Sequence, residues 1–381
     1  MKNSMSDLLC HNCRSNLHKI FFEKNLKSVT SDCKPSLEGI SLAACHNCGL
    51  IQKPITEKYL EEVKKIYNLY DIYAQGEGAE QLVFDIEEGA QSTRSSKIIK
   101  WINENIDIKE EGKLLDIGCG NGGFLKSFSL CRKRWNLVGT EFNSRNEGQI
   151  NKIPNTKFHL GEIDNLKGKF DLVVIVHLLE HINGPISFLK LVREKLKEDG
   201  IIAIQVPNID QSPFDLVISD HCSHFSLKTL IRVVESANFE VVNFSDKNIP
   251  KELSLLARPK KDPILSEENI NEEDKILMTL AWLKNLKFLA MKAREPLAIF
   301  GSSIAATWMA MEVGDSISFF IDEDINRIGG FHLGLPIKDI KEVAENHPIV
   351  IPMKPDLAKL LAKRLGMNKY NFILPDQLYF N

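Results

Sequence analysis

The stretch Asp116-Ile117-Gly118-Cys119-Gly120-Asn121-Gly122-Gly123 sets one acid against four glycines in residues 118–123. Glycine tolerates positive φ and lets a ligand lie against bare backbone, and a helix opening after such a loop aims N–H groups at that ligand. Glu141 follows 25 residues after Asp116, close to the spacing at which a βαβ unit delivers a carboxylate to ribose hydroxyls. A carboxylate suits that task because it accepts from both vicinal hydroxyls at once. The loop lacks the third-glycine spacing of the dinucleotide pattern G-x-G-x-x-G. The chemistry implied is the binding of a nucleoside ligand by Asp116, Gly118, Cys119, Gly120, Glu141 and the adjacent Phe142.

Cys10-His11-Asn12-Cys13 and Cys45-His46-Asn47-Cys48 are two C-x-x-C knuckles separated by 31 residues. Each presents two thiolates from one tight turn, so Cys10, Cys13, Cys45 and Cys48 together suit a tetrahedral zinc ion. Four protein ligands leave no open position for water, which makes that zinc structural. A redox role for the C-x-x-C pairs would need a βαβ context that is missing here. Cys33 is expected to be an unliganded thiol, and His11 and His46 are expected at the surface. Asp220-His221-Cys222-Ser223-His224 places two imidazoles beside an acid, the ingredients of a general base near neutral pH. His177, Glu180 and His181 form a further cluster at a strand end, where a local hydrogen bond in a first helical turn is the favoured account of Glu180 and His181. Tyr59, Tyr67, Tyr70 and Tyr73 have the spacing of core packing; the alternative is a lid offering stacking faces and hydroxyls.

The elements that would position these residues alternate. Leu114, Leu115 and Ile117 read as a buried parallel strand, followed by helix 123–130 and strands at 136–142, 157–160, 170–176 and 201–206. A helix over 186–196 precedes the last of these, and Ser226 is the expected N-cap of another over 227–237. Strands near 241–244 and 253–256 would complete a seven-stranded, doubly wound α/β sheet that binds ligand at the carboxyl ends of its strands. The expected division is a zinc module over 1–65, a core over 66–258, a helical linker over 259–293 and a Rossmann-like α/β unit over 294–381. The linker helix should bury Leu277, Leu280, Ala281, Leu283 and Leu286. In the last unit, Gly301-Ser302-Ser303-Ile304-Ala305-Ala306 keeps one glycine, which argues for a substrate shelf or a packing role. A net charge of −3 advertises no basic face for nucleic acid. No apolar run is long enough to span a bilayer, and no signal-peptide core opens the chain. Eight cysteines, four of them paired at metal spacing, fit a reducing cytoplasm. The expected state is a monomer or weak homodimer.

Asp116 to Gly122 resembles motif I, D-x-G-x-G-x-G, of the class I S-adenosylmethionine-dependent methyltransferases, with Glu141 at the expected acidic end of the second strand. In that class an acid near Gly161-Glu162-Ile163-Asp164 lies by the adenine amino group, so Glu162 and Ile163 join the cofactor set, with His177 at the end of the fourth strand. The order of zinc module, methyltransferase core and Rossmann-like unit resembles, over nearly the whole chain, the bacterial sugar C-methyltransferase family. Its members act on nucleotide-linked 4-keto-6-deoxysugars. The resemblance implies S-adenosylmethionine as cofactor, a nucleotide-sugar substrate, His221 as base held by Asp220, and Tyr73 or His224 stabilising an enolate oxygen. Two stretches depart from the family pattern, Tyr70–Gly76 and Ala305-Ala306-Thr307-Trp308. The same histidine could deprotonate a hydroxyl, which makes sugar or metabolite O-methylation the alternative. An RNA methyltransferase would need a basic footprint, and a non-catalytic scaffold would lack motif I or every candidate base.

Overall fold

The computed structural model describes residues 8–69, 82–84, 91–262, 264, 270–293 and 296–378. Tyr70 and Tyr73 lie outside them. The two knuckles flank an antiparallel pair, β1 (Phe21–Val29) and β2 (Pro35–Ala44), and β3 (Ile51–Gln52) continues from the second knuckle. Helix α1 (Glu57–Asn68) is capped by Thr56, whose side chain accepts from the Tyr59 N–H. It buries no residue, so it lies on the surface rather than in a core. A short pair, β4 (Leu82–Phe84) and β5 (Gln91–Thr93), leads into α2 (Arg94–Asn105).

The central unit follows in the order β6 (Gly112–Ile117), α3 (Gly123–Cys131), β7 (Trp135–Glu141), α4 (Glu147–Ile150), β8 (Thr156–Leu160), β9 (Phe170–Val176), α5 (Pro185–Lys195) and β10 (Leu196–Pro207). Then come β11 (Ser223–His224), α6 (Leu227–Ser236), β12 (Phe239–Ser245) and β13 (Glu252–Pro259). The seven-stranded sheet runs β12-β13-β10-β9-β6-β7-β8, parallel except where β13 pairs antiparallel with β10 and β12. Leu172 to Ile175 in β9 are buried without alternation, as a strand covered on both faces requires. Ser226 caps α6 in a reciprocal arrangement with Thr229. Strand β10 starts earlier than the apolar run suggested, and its register with β9 shifts between Leu196 and Ile201. Strand β11 leaves this sheet and pairs with β3, so the four-stranded sheet β1-β2-β3-β11 combines residues from both knuckle and core segments.

Helix α7 (Glu273–Met291) buries Ile276, Leu280, Trp282, Leu283 and Leu286. The expected face was misplaced: Leu277 and Ala281 are exposed. The apolar residues go nearly all round this helix, so periodicity alone could not choose its buried side. The last unit comprises β14 (Leu297–Phe300), α8 (Ile304–Val313), β15 (Ile317–Ile321), β16 (Phe331–His332), β17 (Leu335–Lys338), β18 (Pro348–Val350), α9 (Pro355–Leu365) and β19 (Asn371–Ile373). Its six-stranded sheet runs β16-β17-β15-β14-β18-β19. The β16–β17 hairpin was not anticipated; it turns on Leu333 and Gly334, both at positive φ. Buried apolar side chains of β1, β2, α7 and α8 share one core with Phe214, Leu216 and Val217.

Candidate active site

Where β6 ends, the backbone turns through Gly118 and Gly120 at φ +73 and +55. A side chain at Gly118 would meet Leu178 at 3.2 Å, and one at Gly139 would meet Cys119 Sγ at 2.7 Å. The absence of a side chain at both positions lets the loop lie close over the sheet edge. Glu141, at the end of β7, accepts from the Gly120 N–H (2.8 Å) and the Phe142 N–H (3.2 Å). Burial raises its pKa against those two hydrogen bonds, with no cation contributing. Asp116 and Cys119 are buried beneath the loop, and Phe142 is 72% exposed, its ring presented at the sheet edge. Glu162 and Ile163 follow β8 and line the same cavity. His177, after β9, sits at φ +51, an uncommon conformation for a side-chain-bearing residue. Its Nδ1 meets Glu180 Oε1 (3.0 Å) and its Nε2 faces Glu252 Oε1 (3.1 Å), which Arg94 also engages (2.8 Å). Burial opposes a charged imidazole there, but the two carboxylates outweigh it and push the His177 pKa to about 9.

This edge and the carboxyl edge of the six-stranded sheet wall a single cavity of about 1340 Å³. Its second wall is built from Gly301, Ser302 and Ser303 at the start of α8 and from Asp322 and Arg327. Ser302 Oγ donates to Asp322 Oδ2 (2.5 Å), and Arg327 faces Asp322 (3.5 Å) and Asp324 (3.7 Å).

His221 lines the cavity, and its partner differs from the one expected. Its Nδ1 donates to Asp215 Oδ1 (2.6 Å), while His224 Nδ1 donates to Asp215 Oδ2 (2.7 Å). Asp220 is instead tied to the Ser31 N–H (2.8 Å) and Ser31 Oγ (2.5 Å). Asp220 is spent on the connection between β1 and β2, so the sequence neighbour was the wrong partner for His221. His224 is also corrected: it lies in β11, 1% exposed, and is not among the residues that wall the cavity. Asp215 stands in a short turn at Pro213–Val217, held because Phe214 packs edge-on against Trp282 and Trp308. A lone acid inside the apolar run Phe214-Asp215-Leu216-Val217 was the available signal. Burial would raise the Asp215 carboxyl, but the two imidazoles outweigh it and hold the group well below the usual range. The His221 pKa is pushed up, since Asp215 overcomes burial; burial wins at His224, which is pushed down. His221 is therefore the more basic of the two.

Further residues join the site, of which only Lys53 was not singled out in the sequence. Tyr67 OH lies 3.1 Å from His181 Nδ1, and the His181 and His221 rings meet at 89° with centroids 4.6 Å apart. Tyr67 and His181 both line the cavity, so this tyrosine serves the site rather than a core. Lys53 is buried; desolvation lowers its pKa to about 8 against the pull of Asp215 and Asp220. Glu180 makes the local pairing expected of it, with His177.

The four cysteine sulfurs converge, with Cys10 and Cys48 at 3.7 Å and Cys13 and Cys45 at 3.5 Å. Side-chain amides donate to three of them: Gln52 to Cys10 (3.0 Å), Asn12 to Cys48 (3.6 Å) and Asn47 to Cys13 (3.5 Å). Such donors stabilise thiolate charge, so this set fits zinc. His46 is exposed as expected; His11 is buried, because its ring is used between segments. Cys33 remains apart, its thiol pushed up to about 12 by burial.

The sheet order and the glycine loop define the class I methyltransferase fold. Residues 90–243 match the family model described as a methyltransferase domain. A ubiquinone biosynthesis O-methyltransferase of Pelagibacter ubique (strain HTCC1062) is 33% identical over 127 residues, 29% of this chain and 52% of that protein. The mitochondrial ubiquinone biosynthesis O-methyltransferase of Saccharomyces cerevisiae (strain ATCC 204508 / S288c) is 28% identical over 126 residues, 29% of this chain and 38% of that protein. The chain thus spans about half the length, or less, of these curated relatives. Among solved structures, an S-adenosylmethionine-dependent methyltransferase from Clostridium acetobutylicum ATCC 824 aligns at 14% identity with a TM-score of 0.36, over 53% of this chain and 98% of that one. Among the described residues, no helix is long and apolar enough to cross a membrane.

Proposed function

We propose that the chain is an S-adenosylmethionine-dependent methyltransferase acting on a nucleotide-linked deoxysugar at a carbon next to a carbonyl. The observation that carries this reading is the cavity walled by two α/β sheet edges, larger than one drug-sized ligand needs. The positive-φ glycines at 118 and 120, with Glu141 beside them, suit a nucleoside cofactor. When bound, S-adenosylmethionine supplies an electrophilic methyl group. Helix α8, ten residues long, opens toward the cavity with no side chain capping it. Its N–H groups and Lys354 suit the phosphates of a nucleotide-linked acceptor.

With Nδ1 donated to Asp215, His221 keeps the Nε2 lone pair for an acceptor proton. It would remove the proton α to the carbonyl, and Asp215 would stabilise the imidazolium that results. The raised pKa of His221 favours proton uptake. His181 and Tyr67, beside the His221 ring, would steady the developing oxyanion. A second reading, O-methylation of a hydroxyl by the same base, is supported by the relatives, whose names specify O-methyltransferases.

The test is incubation of the holoprotein with S-adenosylmethionine and a panel of nucleotide-sugars and hydroxylated aromatics. Gain of one CH2 by a keto-sugar nucleotide, with a carbon-bound methyl in the product spectrum, is expected. Methylation confined to hydroxyl oxygens would replace the first reading by the second.

A further inference from the structure

The two knuckles repeat one tetrapeptide, Cys-His-Asn-Cys, and each asparagine serves a sulfur of the other knuckle. The two histidines diverge. His46 reaches outward to Glu273 at the start of α7 (2.8 Å). His11 turns inward: the Gly184 N–H donates to its Nδ1 (3.1 Å), which leaves Nε2 to carry the proton and donate to the Cys222 carbonyl (3.1 Å). Gln52 closes a second link. Its Nε2 donates to Cys10 Sγ (3.0 Å), its Oε1 accepts from the His11 N–H (2.9 Å), and its own backbone pairs with Ser223. The next register pair is Ile51 with His224.

We infer that His11 and Gln52 are positioning residues that hold the backbone of Cys222–His224 in register with the four-cysteine site, and thereby set His221 and His224 against Asp215. Strand β11 is two residues long and cannot order itself, so its placement is borrowed from β3 and His11. The Cys222 carbonyl accepts twice from the knuckle side, from His11 and from the Lys53 N–H (3.0 Å). None of Cys10, Cys13, Cys45 and Cys48 walls the cavity, yet their geometry reaches His221 through one residue of backbone. The inference holds whichever acceptor the enzyme methylates, because it concerns the free protein.

The experiment follows the Nδ1–H signals of His221 and His224 by nuclear magnetic resonance of the zinc-loaded full chain, labelled at histidine nitrogen. His11→Ala is expected to keep wild-type zinc content and the amide signals of Leu172–Ile175, while the two imidazole protons exchange measurably faster than in the wild type. His11→Gln, which offers an amide donor and acceptor, should restore them. His46→Ala should leave them as in the wild type. If His11→Ala does not fold, zinc is stripped from the wild type with a chelator, and the same selective loss at His221 and His224 is expected. Unchanged imidazole signals in His11→Ala or in the stripped protein would overturn the inference. So would joint loss of zinc and of the β9 amides without rescue by His11→Gln, which assigns His11 to overall folding alone.

Discussion

Two sheet edges face one cavity, and each ends its second strand in an acid that reaches back to the preceding loop. At the first edge Glu141 accepts from the Gly120 N–H and, among the described residues, pairs with no cation, so burial raises its pKa. At the second, Asp322 accepts from Ser302 Oγ, and Arg327 stands between it and Asp324. A carboxylate left without a counter-ion retains capacity for ligand hydroxyls; one already neutralised belongs to the wall. The glycines agree. The first loop carries positive φ at Gly118, Gly120 and Gly122, which lets backbone approach a ligand, whereas the second has it only at Gly301 among residues 301–306. The same α/β architecture thus yields an open, glycine-rich loop in one place and an ion-paired surface in the other.

The largest effect that would break or sharpen this contrast lies between the two edges, at His221. His221→Asn should retain cofactor affinity and lose turnover by about 10²–10⁴-fold, the range for general-base catalysis. Single-turnover rates set beside melting temperature check it; a folded variant with wild-type turnover would move the role to His181 or His177. The pH profile has a defined sign. His221 acts as a base only when neutral, and its pKa is raised above 6.5. The rate should therefore rise with pH through a midpoint above 6.5, and Asp215→Asn should move that midpoint down.

Next in size is the cofactor edge itself. Glu141→Ala should weaken S-adenosylmethionine binding by about 1.5–3 kcal/mol, the cost of a hydrogen bond to a charged group. Asp322→Ala should leave that affinity nearly unchanged and weaken the nucleotide-linked acceptor instead. Calorimetry on both variants decides whether the two acids divide the cavity as their surroundings imply. Equal losses of cofactor affinity would erase the distinction.

A further effect is one of stability. His177 is ordinarily half-protonated near 6.5 and is raised to about 9 in the fold by Glu252 and Glu180, against burial. Its contribution is fully present below pH 6.5 and is lost as pH rises through about 9. Melting temperature should therefore fall across that window, and Glu252→Gln should flatten the fall. A slope unaffected by Glu252→Gln would assign the loss to other groups.

What the sequence determined by itself was local. The glycine loop, Glu141 and the strand alternation could be read because a strand–loop–helix and its next strand obey short-range rules of φ, periodicity and spacing. The cysteine knuckles were equally legible, since each pair of ligands comes from one turn and only two turns need to meet. The tertiary structure alone decided the partner of His221. Asp215 precedes it by six residues, but its orientation depends on Phe214 packing against Trp282 and Trp308, which arrive from helices far along the chain. It also decided which side of α7 is buried, because an all-round apolar helix takes its face from its neighbours. His11 makes the same point at the smallest scale: two identical tetrapeptides set one histidine at the surface beside Glu273 and the other in a buried joint. The difference is what each knuckle packs against, and no spacing within either tetrapeptide encodes it.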